Sequence, residues 1–275
     1  MERFGRGRAV LARLCAVALA CALAVGVGSS PTFARVTFPA DAPASYQLAG
    51  AYQPEAGVGV VARDRTERPA AGYYNICYVN GFQTQPGTRG WWKKRHRDLL
   101  LRKRSKLVVD SQWNEVLFDT SSRGKRKQLA RIVGKWTKGC AQQGYDAVEF
   151  DNLDSFTRSR HRLTKANNSA MAMKLVRKAH RVGLSAGQKN TAELRNRGRK
   201  KIGFDFAIAE ECQRYAECDR YLKAYGAAVI EIEYTDYSES VFIAACAARG
   251  SEISIIRRDR DLRPAGHPAY RYGQC

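Results

Sequence analysis

Short apolar runs recur along this chain at a spacing that leaves room for a helix or a long loop between one run and the next. That rhythm constrains the fold more than any other feature. The runs begin near residues 45, 58, 74, 146, 184, 204, 229 and 252. Each is strand-length, and several alternate or carry the β-branched and aromatic residues that suit a buried strand. Between them, Lys125 to Gln143 repeats Leu129, Ile132, Val133, Trp136 and Cys140 at helical spacing and stops at Gly144. The Asp119-Thr120-Ser121-Ser122 cluster offers N-cap candidates before it. Asn168 to Val182 repeats Ala172, Leu175, Val176 and Ala179 in the same way, with Gly183 as the stop. Strands alternating with helix-length segments predict a parallel α/β sheet. No glycine-rich phosphate loop follows the first strand, which argues against a nucleotide-binding open sheet. Eight such units in a domain close to the usual size of about 250 residues predict a (β/α)₈ TIM barrel.

The first 34 residues stand outside this pattern. Arg3, Arg6, Arg8 and Arg13 precede an apolar stretch from Leu14 to Val27, and Thr32-Phe33-Ala34 supplies small residues at a cleavage site. We read 1–34 as a signal peptide and 35–275 as one domain of an exported, extracellular protein. The apolar stretch is short for a membrane span, which needs about 20 residues. Six cysteines follow the leader: Cys77, Cys140, Cys212, Cys218, Cys246 and Cys275. An even number in an exported chain predicts disulfides. Cys212 and Cys218 are near enough to close a small loop, and the other four allow several pairings. The paired short spacings of a zinc site are missing, so neither a metal nor another cofactor is expected.

The formal charge is +21, and removing four Arg and one Glu with the leader brings it to +18. Basic clusters lie at Lys93 to Arg97, at Arg102 to Arg104 and at Arg195 to Lys201. They lie in no helix-turn-helix, zinc finger or aromatic stacking motif, so no specific nucleic-acid partner is expected. A solvated basic surface that meets anionic wall or matrix polymers fits an exported protein better. We expect a monomer. Trp91-Trp92 falls in the least regular stretch and reads as a plug against the side of the domain rather than a sugar platform.

In a barrel of this kind the chemistry sits at the C-terminal ends of the strands. Those ends carry Tyr78, Asp151, Lys189, Glu210 and Glu233. In the run Ala147-Val148-Glu149-Phe150-Asp151, Val148 and Phe150 share one side, while Glu149 and Asp151 share the other. The fourth and sixth strands are two apart, so Asp151 and Glu210 can face each other across the mouth. Two opposed carboxylates are what glycoside hydrolysis needs: one protonates the leaving oxygen while the other attacks the anomeric carbon or activates water. None of the four histidines, at positions 96, 161, 180 and 267, falls at a strand end, and no Ser/His/Asp arrangement is evident.

Tyr78, Phe150-Asp151-Asn152-Leu153-Asp154, Gln188-Lys189-Asn190, Glu210-Glu211-Cys212 and Ile232-Glu233-Tyr234 follow one another in an order that resembles glycoside hydrolase family 114, the endo-α-1,4-polygalactosaminidases. The resemblance spans about residues 45–260. It implies a barrel that cuts α-1,4-linked galactosamine chains, with Asp151 as nucleophile and Glu210 as acid/base, or the reverse. Tyr78, Asn152, Asp154, Lys189, Asn190, Glu233 and Tyr234 become candidate substrate-binding residues. Ala209 departs from the Asn common in the family before the Glu, and its lost hydrogen bond is expected to alter the sugar preferred. Glu211 rivals Glu210, since strand parity does not say which points inward. A free-amine galactosamine polymer is cationic, so we expect an acidic pocket formed by Glu149, Asp151, Asp154, Glu210 and Glu233 inside the basic shell. The competing expectation is a barrel that binds an anionic polymer without catalysis, or that cuts another α-linked glycan.

Overall fold

A computed structural model describes residues 35–85 and 87–275, together with Met1. The expected leader lies, apart from Met1, outside the described residues. Eight strands run parallel in chain order: β1 (Ala44–Gln47), β2 (Val60–Asp64), β3 (Tyr74–Asn80), β4 (Ala147–Asp151), β5 (Ser185–Lys189), β6 (Phe206–Glu210), β7 (Val229–Tyr234) and β8 (Ser254–Arg258). Each pairs with the next. All eight expected strands form, with starts moved by two residues or fewer.

The sheet curls until β8 approaches β1, but no ladder joins them. A ninth strand, β9 (Tyr272–Gln274), pairs antiparallel with the free edge of β8. The Tyr272 hydroxyl donates to the Ala44 carbonyl at 3.1 Å, and the Arg258 guanidinium donates to the Tyr46 carbonyl. The ring is therefore completed across its seam by side chains and one extra strand, which leaves little exposed edge to recruit another chain.

Period-two alternation sends each strand's side chains into two separate cores. Tyr46, Val60, Ala62, Ile76, Ala147, Phe206, Ile208, Ile230, Ile232 and Ile256 fill the barrel. Gly187 belongs to this interior, where a Cβ would lie 2.7 Å from the Phe206 ring. Phe38 stacks on Phe206 at 4.6 Å. Val79, Val148, Phe150, Ala207, Ala209 and Ile255 point outward against the helices.

Five α-helices are described: α1 (Arg89–Arg95), α2 (Arg123–Gln143), α3 (Lys165–Arg181), α4 (Cys218–Tyr225) and α5 (Glu239–Arg249). Ser122 caps α2 by accepting from the Lys125 amide, and Gly144 ends it at φ 93°. Thr164 and Asn167 form a capping box at the start of α3. Trp92 is buried on α1 against Phe118 and Trp136, as a plug should be, while Trp91 beside it is half exposed. The long β3–β4 crossover also carries two small hairpins, Arg102–Leu107 and Val109–Val116. Three disulfides form: Cys77–Cys140 ties β3 to α2, Cys212–Cys218 closes the loop after β6, and Cys246–Cys275 fixes the C-terminus to α5. They suit an oxidising compartment.

Candidate active site

The C-terminal ends of the strands open into a cleft of about 740 Å³. At its floor stands Lys189, the last residue of β5, with a side chain only 3% exposed. Its ammonium lies 3.0 Å from Glu149, 3.5 Å from Asp151 and 3.6 Å from Glu210. It also donates to the Tyr46 hydroxyl at 3.0 Å. Asp151 and Glu210 thus meet across one buried cation, with the oxygens nearest to it no more than about 7 Å apart, a bound that admits the spacing of a retaining acid pair as well as the shorter end of an inverting one.

Each acid has its own supports. Asp151 accepts from the Tyr78 hydroxyl at 2.6 Å and from the Asn152 amide at 2.7 Å. Burial works to raise its pKa, but the Lys189 ammonium, with these two donors, outweighs that and holds the carboxyl below the ordinary aspartate value. Glu210 is clamped by Asn190, which donates to Oε2 at 2.8 Å and accepts from the Glu210 amide at 2.9 Å. The Tyr234 hydroxyl donates to Oε1. Burial would lower the Lys189 pKa, yet the surrounding carboxylates raise it well above the usual lysine value. The site therefore holds a permanent ammonium between its two acids.

The backbone explains how residues after the strands also enter the cleft. Asn152, Asn190 and Glu211 each follow an inward strand-end residue, and each has positive φ, at 64°, 48° and 59°. The left-handed step turns the chain sharply, so a second side chain can reach the same cavity. Asn tolerates this conformation, whereas for a residue such as Glu it costs roughly 1–2 kcal/mol. Glu211 is held there by its amide bonding to the Ile232 carbonyl at 2.8 Å. Both of its carboxylate oxygens also accept from Arg260 at 3.0 Å. The rivalry between the two acids resolves on geometry: Glu210 faces Lys189, and Glu211 is occupied by Arg260. The same guanidinium lies 3.9 Å from the centre of the Tyr234 ring.

Two expected pocket acids do not reach the mouth. Glu233 lies on the outer face of β7, because Ile230, Ile232 and Tyr234 take the inner one. It accepts from the Gln213 amide at 3.0 Å, and burial pushes it up to about 8. Glu149 points inward but lies one layer beneath Asp151, fully buried. The Tyr46 hydroxyl donates to it at 2.7 Å, and burial, opposed by Lys189, pushes it up to about 7. Ala209 also needs correction: its side chain faces the helix layer, so an Asn there would not touch a sugar. Asn190, from the neighbouring strand, supplies a side-chain amide to the acid instead.

Asp154 does line the cleft, paired with Arg158 at 2.7 Å. Other lining acids are Asp64, Glu67, Asp110, Glu115, Glu211 and Asp261, and the basic residues there are Arg158, Lys189 and Arg260. The pocket is acidic, then, but with a partly different membership from the one expected. Tyr46, Arg158 and Arg260 carried no sequence signal of their own, and of the 109–116 hairpin only the extended piece Leu107 to Asp110 did. Tyr46 sits in a first strand too short to show alternation, and Arg260 sits in a charged run that resembles ordinary surface.

The profile of glycoside-hydrolase family GH114 matches residues 29–275. No curated protein sequence matches the chain. Among solved structures, Aspergillus fumigatus Ega3 in complex with galactosamine is similar in fold, with a TM-score of 0.71 and 20% identity over 88% of this chain and 99% of that one. The glycoside hydrolase domain of PelA from Pseudomonas aeruginosa gives a TM-score of 0.60 and 14% identity over 82% of this chain and 97% of that one. A barrel whose mouth holds two opposed carboxylates agrees with the match along almost the whole sequence, and the chain belongs to glycoside-hydrolase family GH114.

Proposed function

We propose that this glycoside hydrolase is exported and cleaves α-1,4-linked galactosamine polysaccharide with retention of configuration. The observation that carries the proposal is the convergence of Asp151 and Glu210 on the Lys189 ammonium at the floor of an acidic cleft. Asp151, held ionised by the Lys189 ammonium and its two donors, is the nucleophile. It attacks the anomeric carbon while Glu210 gives its proton to the departing glycosidic oxygen. A covalent glycosyl–Asp151 ester results. Glu210, now a carboxylate, takes a proton from water, which releases the sugar and restores both acids. Tyr78 and Asn190 keep the two carboxylates in register through both steps.

The acidic lining favours a sugar with a free ammonium, and the galactosamine held in the Ega3 complex supports that choice. The leader-like first 34 residues and the three disulfides support export. The exposed cations at Lys93, Lys94 and Arg95 on α1, and at Arg195 and Arg197, support attachment to an anionic wall or matrix polymer.

The test is product release from de-N-acetylated galactosamine polymer. Asp151→Asn and Glu210→Gln should each lower kcat by at least roughly 10²-fold, the lower end for loss of one acid–base group. Proton NMR of the first product should show the α anomer. A β product would overturn retention, and full activity in either variant would overturn the assignment of that acid.

A further inference from the structure

The cleft extends beyond the acid pair to a part of the β3–β4 crossover that has no role so far. The hairpin Val109–Val116 stands over the Asp151 side of the site. Its base is pinned at both strands. Asp110 pairs with Arg158 at 2.8 Å, and Glu115 accepts from Asn80, which itself pairs with Asp151 across β3 and β4. Its tip is set by Asn114 at φ 54°, which accepts from Arg89 of α1 at 3.2 Å. Between these fixed points the chain places Trp113 on the cleft wall with 48% of its surface open.

Burying an aromatic of that size is normally favourable, and here a large indole is left uncovered on a turn. Trp91 is nearly as open, at 44%. What separates the two is location: Trp113 lies on the wall of a cavity that a polysaccharide must occupy. An indole face suits the apolar C–H face of a pyranose ring, and a rigid Trp offers that contact at low entropic cost.

We propose that Trp113 is a stacking platform for a pyranose ring of the bound polysaccharide, on the Asp151 side of the acid pair. The Glu115 carboxyl lies at the foot of the same hairpin and lines the same cleft. One of its oxygens accepts from Asn80 and Gln83, and the other makes no side-chain hydrogen bond among the described residues. Burial pushes this carboxyl up to about 8, so an ammonium group on the ring meets it by drawing off its proton, and that oxygen is then the partner for the ring's amino group. The identity of the ring as an aminohexose rests on the function proposed above; the platform does not.

The experiment compares Trp113→Ala, Trp113→Phe and Glu115→Gln with wild type on galactosamine oligomers of increasing length, free-amine and N-acetylated. Trp113→Ala should raise KM for long oligomers about tenfold, as expected for loss of one aromatic contact, with kcat changed less than about twofold if binding is uniform. Trp113→Phe should restore most of the loss, and Glu115→Gln should weaken only the free-amine series. Intrinsic fluorescence of the Asp151→Asn protein, titrated with the same oligomers, should change on binding and should lose much of that change when Trp113→Phe is added. Should wild type cleave neither series, the galactosamine reading fails, and the comparison moves to whichever α-glycan it does cleave. An unchanged KM for Trp113→Ala on the glycan that wild type cleaves overturns the platform, whatever the sugar.

Discussion

Replacing Lys189 by Met tests whether one ammonium is what lets three carboxylates share the barrel axis. Met keeps most of the volume of the stem and removes the charge. Breaking a buried ion pair from one side costs about 3–5 kcal/mol, because the charge left behind has no partner. Three acids remain around Lys189, at 3.0, 3.5 and 3.6 Å, yet they need not all stay ionised. Glu149, already pushed up to about 7 by burial, takes a proton first. We therefore expect a loss near the single-pair figure, about 3–5 kcal/mol at pH 7, and a fall in Tm on the order of 10 °C for a domain of this size. The pH dependence has a definite sign. The Asp151 pKa is depressed in the native state, so its contribution is present above the unfolded value and disappears as pH falls through the native one. The Lys189 pKa is raised, so its contribution is full below the unfolded lysine value and is lost only in alkali. The variant lacks both contributions and leaves Asp151 with burial alone, which opposes its charge. The gap between variant and wild type should therefore be widest near neutrality and should narrow from pH 7 toward pH 4. Urea unfolding of the oxidised protein, followed by circular dichroism across pH 4–8, measures it. Adding Glu149→Gln should change this cost by less than about 1 kcal/mol, since that acid is already protonated in the variant and the stranded charges are those of its neighbours. A cost under about 1 kcal/mol at pH 7, or one that does not shrink in acid, would refute the reasoning.

Ala209→Asn places an amide in the apolar layer between β6 and its helices and should cost about 2–4 kcal/mol in urea unfolding without changing which oligosaccharides are cut. Replacing both Cys77 and Cys140 by Ala opens a loop with a sequence separation of 63, which should cost about 4 kcal/mol and lower Tm by roughly 10 °C. A cationic polymer meets the basic shell before the acidic cleft, so kcat/KM on such a polymer should rise as salt screens the shell, from about 30 Å of Debye length at 0.01 M to about 8 Å at 0.15 M; a steady fall over that range would mean that the cleft, not the shell, governs the approach.

The charge pattern reconciles a basic protein with an acidic site. The three cations among the cleft-lining residues are all engaged: Lys189 by its ring of carboxylates, Arg158 by Asp110 and Asp154, and Arg260 by Glu211 and Asp236. None is left over to repel an ammonium sugar. Arg260 also occupies Glu211 as a competing carboxylate, while Glu210 faces Lys189 because it shares the inward side of β6 with Phe206 and Ile208.

How far the sequence discloses this site depends on which side of a strand is buried, and in a barrel both sides are. The strand periods were legible because alternation and chain spacing are local properties, and all eight strands could be placed from them. The inward face of β4 was legible too, because Glu149 and Asp151 share a parity opposite to Val148 and Phe150. On β7 the same pattern misleads. There Ile230, Ile232 and Tyr234 face the barrel, while Glu231 and Glu233 face outward, the inverse of β4. Glu231 is accommodated on that side by Arg249 of α5, whose guanidinium reaches it at 2.9 Å. Nothing within the strand distinguishes the two cases: each alternates apolar groups with acids, and each hides both faces from water. What decides is the partner across the layer, Lys189 for β4 and Arg249 for β7, and each partner comes from a segment far along the chain. The acids of the site could therefore be found from strand ends, but their orientation depends on which buried cation each one meets.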